Sequence, residues 1–271
     1  MLVKLIERVA SGSALVGATI WLLWPGKSWS PDPEPALMVL VCFFTWIGLE
    51  IRHSIVAESA DRKGEKLPIP EEFSSYSIVL GSHHEGGVNL WEASGLVGTS
   101  DAIAAGRILG YISALGGKDC EVVAAHNYPG NRLDRNLILI GGPDANILTK
   151  EIIEKLPLNF QIGVPDTHVI SIIDNNNNEY FNPTINPDDT VVKDHGVVIR
   201  ARNPFNTKTR IFVVAGSFGQ GTLAASLFMC EQDLIRCEKF SSYEFFESIV
   251  VSDVVDNWPQ EPNLIRVYPV Q

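Results

Sequence analysis

This sequence predicts an α/β fold: an N-terminal two-helix transmembrane hairpin, then a mostly parallel α/β sandwich with an antiparallel hairpin insertion. Three observations predict it. Two uncharged apolar runs lie near the start, at residues 9–26 and 35–49. Three later stretches share one local order, a β-rich apolar run, then glycine, then a helical pattern. Charge is also divided unevenly. Residues 1–66 carry seven basic and seven acidic groups, whereas 67–271 carry 14 and 25, so the whole net charge of −11 lies in the second part.

The first run centres on Ala14-Leu15-Val16-Gly17-Ala18-Thr19-Ile20-Trp21-Leu22-Leu23-Trp24. It meets the lower end of the ~17–25 apolar residues a spanning helix needs. The second run is shorter and spans only if Glu50 and Arg52 snorkel to the interface. Pro25, Gly26, Pro31 and Pro33 break the chain between the two. A buried hairpin of a soluble protein and a cleaved signal peptide are the competing readings. No small-x-small cleavage site follows Trp24, which favours the uncleaved hairpin. Lys4 and Arg8 precede it, Arg52, Arg62, Lys63 and Lys66 follow it, and the turn holds only Lys27. That bias places both ends inside the cell. The expected organisation is a hairpin over 1–52, a linker over 53–70 and a cytoplasmic domain over 71–271, in a multi-pass inner-membrane protein. The four cysteines show no CxxC spacing, so neither a disulfide framework nor a zinc site is expected.

Within 71–271, Tyr76-Ser77-Ile78-Val79-Leu80 reads as a strand running into Gly81-Ser82-His83-His84-Glu85-Gly86-Gly87. A helix should start near Thr99 or Ser100 and stop at Gly116-Gly117, with Ile108, Ile112 and Leu115 as its apolar stripe. A second strand is expected over 121–125. Asn136-Leu137-Ile138-Leu139-Ile140 is apolar without alternation, as a sheet covered on both faces requires. It leads into Gly141-Gly142-Pro143-Asp144-Ala145-Asn146 and a helix over 148–156. Residues 168–173 and 179–181 read as a hairpin around the Asp174 to Asn178 turn. A strand over 197–202 turns at Asn203-Pro204-Phe205-Asn206 into a strand over 210–215. Then come Gly216-Ser217-Phe218-Gly219-Gln220-Gly221-Thr222 and a helix from Leu223. Residues 263–270 read as a last strand.

In a parallel sheet, ligands bind at the carboxyl ends of the strands. The three glycine loops belong there. Glycine lets backbone N–H groups approach a phosphate, and a following helix N-terminus adds partial positive charge. Gly81, Ser82, Gly141, Gly142, Gly216, Ser217, Gly219, Gly221 and Thr222 are therefore the candidate ligand-binding residues. The competing reading of Gly216 to Thr222 is a tightly packed strand–helix turn. No lysine follows the last glycine, so this is no Walker loop. Asp144 would repel phosphate, and it reads as a helix cap or a ligand for ribose hydroxyls. His83-His84-Glu85 lacks metal-ligand spacing, and His126, His168 and His195 are scattered, so no metal is expected. Asp194-His195-Gly196 reads as a turn. Arg132 and Arg135 read either as an anion clamp or as solvated loop arginines. The acidic balance argues against nucleic acid as a partner.

Val79-Leu80-Gly81-Ser82 and Gly219-Gln220-Gly221-Thr222 resemble motifs of the SLOG superfamily. That resemblance implies a Rossmann-like fold and either nucleotide processing or nucleotide sensing. The enzymatic branch has a glutamate after its Gly-Thr pair, whereas Leu223-Ala224-Ala225-Ser226 follows here. The resemblance therefore points to sensing. By layout, the chain also resembles two-helix membrane effectors of bacterial nucleotide-signalling defence systems. The implied function is a membrane-anchored sensor in which a nucleotide-like or phosphorylated ligand reorganises or oligomerises the domain. No further cofactor is implied. The alternatives are a membrane-bound enzyme acting on nucleotides or N-glycosidic bonds, using Asp101, Glu85, Glu92 and the histidines, and an interaction module without a small ligand.

Overall fold

The computed structural model describes residues 75–83, 95–117, 119–164 and 170–271. The chain divides into two units, Met1–Lys66 and Leu67–Gln271, and everything described belongs to the second. The hairpin expected over 1–52 and the linker over 53–70 lie outside the described residues, as do His84, Glu85, Glu92 and His168. Among the described residues, no helix is long and apolar enough to cross a membrane.

Strand β1 (Ser75–Leu80) leads to helix α1 (Thr99–Ala114), then β2 (Asp119–Ala124) and β3 (Asn136–Ile140). Helix α2 (Ile147–Ile153) and strands β4 (Phe160–Gly163), β5 (Ser171–Asp174) and β6 (Glu179–Phe181) follow. Next come β7 (Thr184–Ile185), β8 (Val191–Asn203), β9 (Asn206–Gly216) and helix α3 (Gly219–Glu231). The chain closes with β10 (Phe246–Val255), β11 (Trp258–Pro259) and β12 (Asn263–Pro269).

One nine-stranded sheet runs β11-β10-β8-β9-β3-β1-β2, with β12 also on β10 and β7 also on β8. Along that path only the pairings β2–β1, β1–β3 and β3–β9 are parallel. The pairings β8–β9, β8–β10, β10–β11 and β10–β12 are antiparallel. The expected mostly parallel α/β sandwich is therefore corrected to a strand-rich mixed sheet. The reason is connection length. A parallel crossover needs about a dozen residues, whereas two residues join β8 to β9 and similarly short turns separate β10, β11 and β12. The expected insertion forms a separate sheet, β4-β5-β6. Strand β10 carried no expectation at all, although it is central and mostly buried.

The sheet separates two cores. On one face Tyr76, Ile78, Ile138, Ile140, Phe212 and Val214 pack against Ala104, Ile108 and Ile112 of α1 and Leu223, Phe228 and Met229 of α3. On the other, Val79, Leu137, Leu139, Ile211, Val213 and Ala215 pack against Leu148 and Ile152 of α2 and against Phe160, Ile172 and Phe181 of the small sheet. Strands covered on both faces need apolar residues at consecutive positions, and this is why β3 reads Asn-Leu-Ile-Leu-Ile. Buried Glu247 of β10 pins the small sheet: its carboxylate accepts the Asn159 N–H at 2.6 Å and the Phe160 N–H at 2.9 Å. Asp174 orders the asparagine-rich turn by accepting the Asn176 N–H at 2.9 Å and the Asn177 N–H at 3.3 Å. It also pairs with Arg266 of β12.

Candidate ligand-binding crevice

Strand order reverses around β1. The chain leaves β1 through α1 to β2 on one side, then returns to β3 on the other. Such a switch point leaves a crevice beyond the carboxyl ends of the strands. The three glycine loops meet there. The Gly81 N–H donates to Ile140 O at 2.9 Å, Ser82 N–H to Ala145 O at 2.9 Å and Gly141 N–H to Val214 O at 3.0 Å. Gly141 has φ +100°, a left-handed conformation costly for any residue with a Cβ. A Cβ there would also lie 3.2 Å from the Asp101 carboxylate.

Asp101 stands in the first turn of α1, whose N-cap is Gly98 and not Thr99 or Ser100. It is 7% exposed. Burial pushes its carboxyl up to about 6, with Asp144 adding to the rise and a hydrogen bond from Thr222 opposing it. The Thr222 hydroxyl is thus committed to a carboxylate of the chain. Ser82 lies 2.9 Å from Nδ1 of exposed His126, and the His83 backbone pairs with Leu96.

The third glycine loop differs from a phosphate cradle. The buried Asp194 carboxylate reaches from β8 to the start of α3, where it accepts the Gly221 N–H at 2.5 Å and the Phe218 N–H at 3.2 Å. A helix N-terminus attracts an anion, and the chain supplies its own. Burial pushes Asp194 up to about 6, against the backbone hydrogen bonds that lower it. Asp194-His195-Gly196 is consequently mid-strand and not a turn. The second loop is resolved in the same way. Asp144 is exposed, and Asn146 caps α2, its side-chain oxygen accepting from Leu148 N–H at 3.1 Å and Thr149 N–H at 3.2 Å. Arg132 and Arg135 stay partly open to solvent, with side chains 39% and 49% exposed. Both face Glu121, with Arg132 at 2.9 Å and Arg135 at 4.0 Å.

Beside Pro143 and Asp144 a cleft of about 510 Å3 opens between α2 and β4, with Leu156, Leu158, Phe160 and Ile162 among its lining. Among the described residues no group of three His, Cys, Asp or Glu is placed to hold a metal. Of the nine candidate residues, Gly81, Ser82, Gly141 and Gly142 follow the carboxyl ends of β1 and β3, with Gly141 beside Asp101. Gly216, Gly219 and Gly221 serve close packing: a Cβ at Gly219 would lie 2.9 Å from Ser100 Cβ, and one at Gly216 would overlap the Thr222 backbone. Asn146 and Asp194 were not singled out for these roles. A polar residue just before a helix, and an aspartate inside an apolar strand, were the available signals.

The raised Asp101 carboxyl has a measurable consequence. Its folded pKa exceeds the unfolded value, so its contribution to stability is fully present below pH ~4 and is lost as pH rises through about 6. Urea midpoints at pH 4, 5, 6 and 7 should show wild type losing about 2 kcal/mol relative to Asp101→Asn across that window, with no further change above it. Parallel profiles would contradict the buried, desolvated geometry.

The described residues form a strand-rich, mixed-sheet domain with three α-helices, and Asp101 lies beside the loop that follows β3. A family model described as the S-layer like family, outer domain, matches residues 119–232, from β2 through α3 and less than half of the chain. No curated protein matches the chain. The expectation of a multi-pass inner-membrane protein with a cytoplasmic domain of defence type is thereby corrected. The finding against it is the likeness of residues 119–232 to an S-layer-like outer domain; the expected hairpin itself lies outside the described residues.

Proposed function

We propose that the second unit binds a small ligand through its hydroxyl groups, either a free saccharide or the sugar of a nucleotide-like molecule. The observation that carries this reading is the meeting of the three glycine loops around Asp101 at the switch point of the sheet. Carboxylates repel phosphate but accept hydroxyl hydrogens, and Asp101 and Asp144 both border the crevice. The cleft beside Asp144 mixes apolar Leu156, Leu158 and Ile162 with Lys150 and Glu154, and suits a part of the same ligand that carries both apolar and polar groups. The likeness to an S-layer-type outer domain supports display at a cell surface.

Calorimetric titration of the full chain with ribose, glucose, N-acetylglucosamine, AMP and NAD tests this. At least one should bind, and Asp101→Ala should weaken it by tenfold or more. Binding of the free sugars identifies a saccharide site, and binding of AMP or NAD alone identifies a nucleotide-like one. If none binds, the reading fails. A second reading, cleavage of an N-glycosidic bond, is favoured by the carboxyl near 6, which holds a proton for a leaving group close to neutral pH. Turnover of NAD that disappears in Asp101→Asn would support it, and turnover unchanged in that variant would remove it.

A further inference from the structure

The cleft beside Pro143 and Asp144 is lined by Phe160, Gln161 and Ile162, three consecutive residues of β4. Side chains alternate across a strand, so three neighbours line one cleft where the strand turns its edge to it. That edge is open. Among the described residues β4 pairs with β5 alone. The Asn175 N–H donates to Asn159 O at 3.0 Å, which points the backbone of residue 159 at β5. Backbone groups alternate in direction along an antiparallel strand, so those of Phe160 and Ile162 point the other way. The Phe160 N–H agrees, donating to the Glu247 carboxylate and not to β5. The Phe160 C=O and both backbone groups of Ile162 have no hydrogen-bond partner among the described residues.

Helix α2 forms the other wall of the cleft, with Lys150, Ile153 and Glu154. A groove between a helix and an open strand edge suits an extended peptide added as a strand. Main-chain hydrogen bonds hold such a peptide, and its alternate side chains enter the groove. A saccharide or a nucleotide has no matching repeat of N–H and C=O groups. Charge then selects among peptides. Asp144 and Glu154 are both exposed, and they outnumber Lys150 in the lining. A second copy of the domain is a poor occupant, because residues 67–271 carry the whole net charge of −11 and two such surfaces repel.

We propose that the cleft docks an extended basic peptide, apolar residues flanked by lysine or arginine, as a fourth strand on the open edge of β4. The peptide is the mixed apolar and polar part of the ligand described above, and it rests on that reading only for the sugar beyond Asp144. The test selects a phage-displayed library of random seven-residue peptides on the full chain and synthesises those enriched. They should carry at least two basic residues, and Asp144→Lys combined with Glu154→Lys should weaken them tenfold or more. Each is also made with alternate amides N-methylated, in two complementary sets. The set facing β4 should bind at least tenfold more weakly, and the other within twofold of the parent peptide. That comparison leaves the protein unaltered, so no change in folding enters it. Asp101→Ala should leave peptide binding within twofold. No enrichment, enrichment of acidic peptides, or equal effects of the two methylated sets overturns the proposal and leaves the Asp101 reading standing. Peptide binding with no response to any sugar or nucleotide overturns the Asp101 reading alone.

Discussion

Replacing Asn146 with alanine should destabilise the domain by about 3 kcal/mol, read from the urea midpoint of the full chain. Its side chain is fully buried and makes four hydrogen bonds. The amide nitrogen donates to Val79 O and Ile140 O, both at 3.0 Å, which ties the end of β1 to the end of β3. The amide oxygen caps α2. Loss of a cap costs ~1 kcal/mol, and each buried group left unpaired costs ~1–3 kcal/mol. The decisive comparison is Asn146→Asp. That variant keeps the capping oxygen but sets a second oxygen against two carbonyls, so it should be no better than alanine. If aspartate restores most of the stability, capping alone explains the residue and the bridge between strands does not.

Gly221→Ala should cost about as much, ~3 kcal/mol, by a different mechanism. The first turn of α3 lies directly on β8. A Cβ at Gly221 would overlap the His195 carbonyl, and one at Gly196 would overlap Gly221 O and lie 2.9 Å from Ala225 Cβ. The obstacle is backbone, so no rotamer change relieves it. The helix would have to move off the sheet, taking the Gly221 N–H away from Asp194. Gly106→Ala and Gly110→Ala in α1 are the controls. Nothing lies within 4 Å of either added Cβ. Alanine is better than glycine inside a helix by ~1 kcal/mol, so these variants should be slightly more stable than wild type. A Gly221→Ala protein as stable as the controls would contradict the packing of α3 on β8.

The two variants show why the glycine loops were visible in the sequence while their roles were not. Glycine after an apolar run marks a strand end and a close approach, and all three loops were legible on that ground. Whether the approach serves a phosphate or a neighbouring strand depends on what stands opposite. At α3 the opposite group is Asp194, whose carboxylate holds the helix N-terminus from 27 residues upstream of Gly221. At α2 it is Asn146, two residues past the more conspicuous Asp144. Arg132 and Arg135 looked free because Glu121, their partner, lies upstream in β2, before the loop that carries them.

Local pattern determined β1, β3, β8 and β9 of the cores, the helices after β1, β3 and β9, and the division of the chain into a charge-balanced first part and an acidic second part. These follow from apolar periodicity, glycine and net charge, which are properties of neighbouring residues. Only the tertiary structure decided that half of the sheet is antiparallel, since direction depends on which strands pair across long separations. It also decided that Asp101 is a buried carboxyl beside the glycine loops, and that Asp194 of β8 holds the start of α3. Burial and pairing across a sheet are set by contacts between distant residues, and no local pattern encodes them.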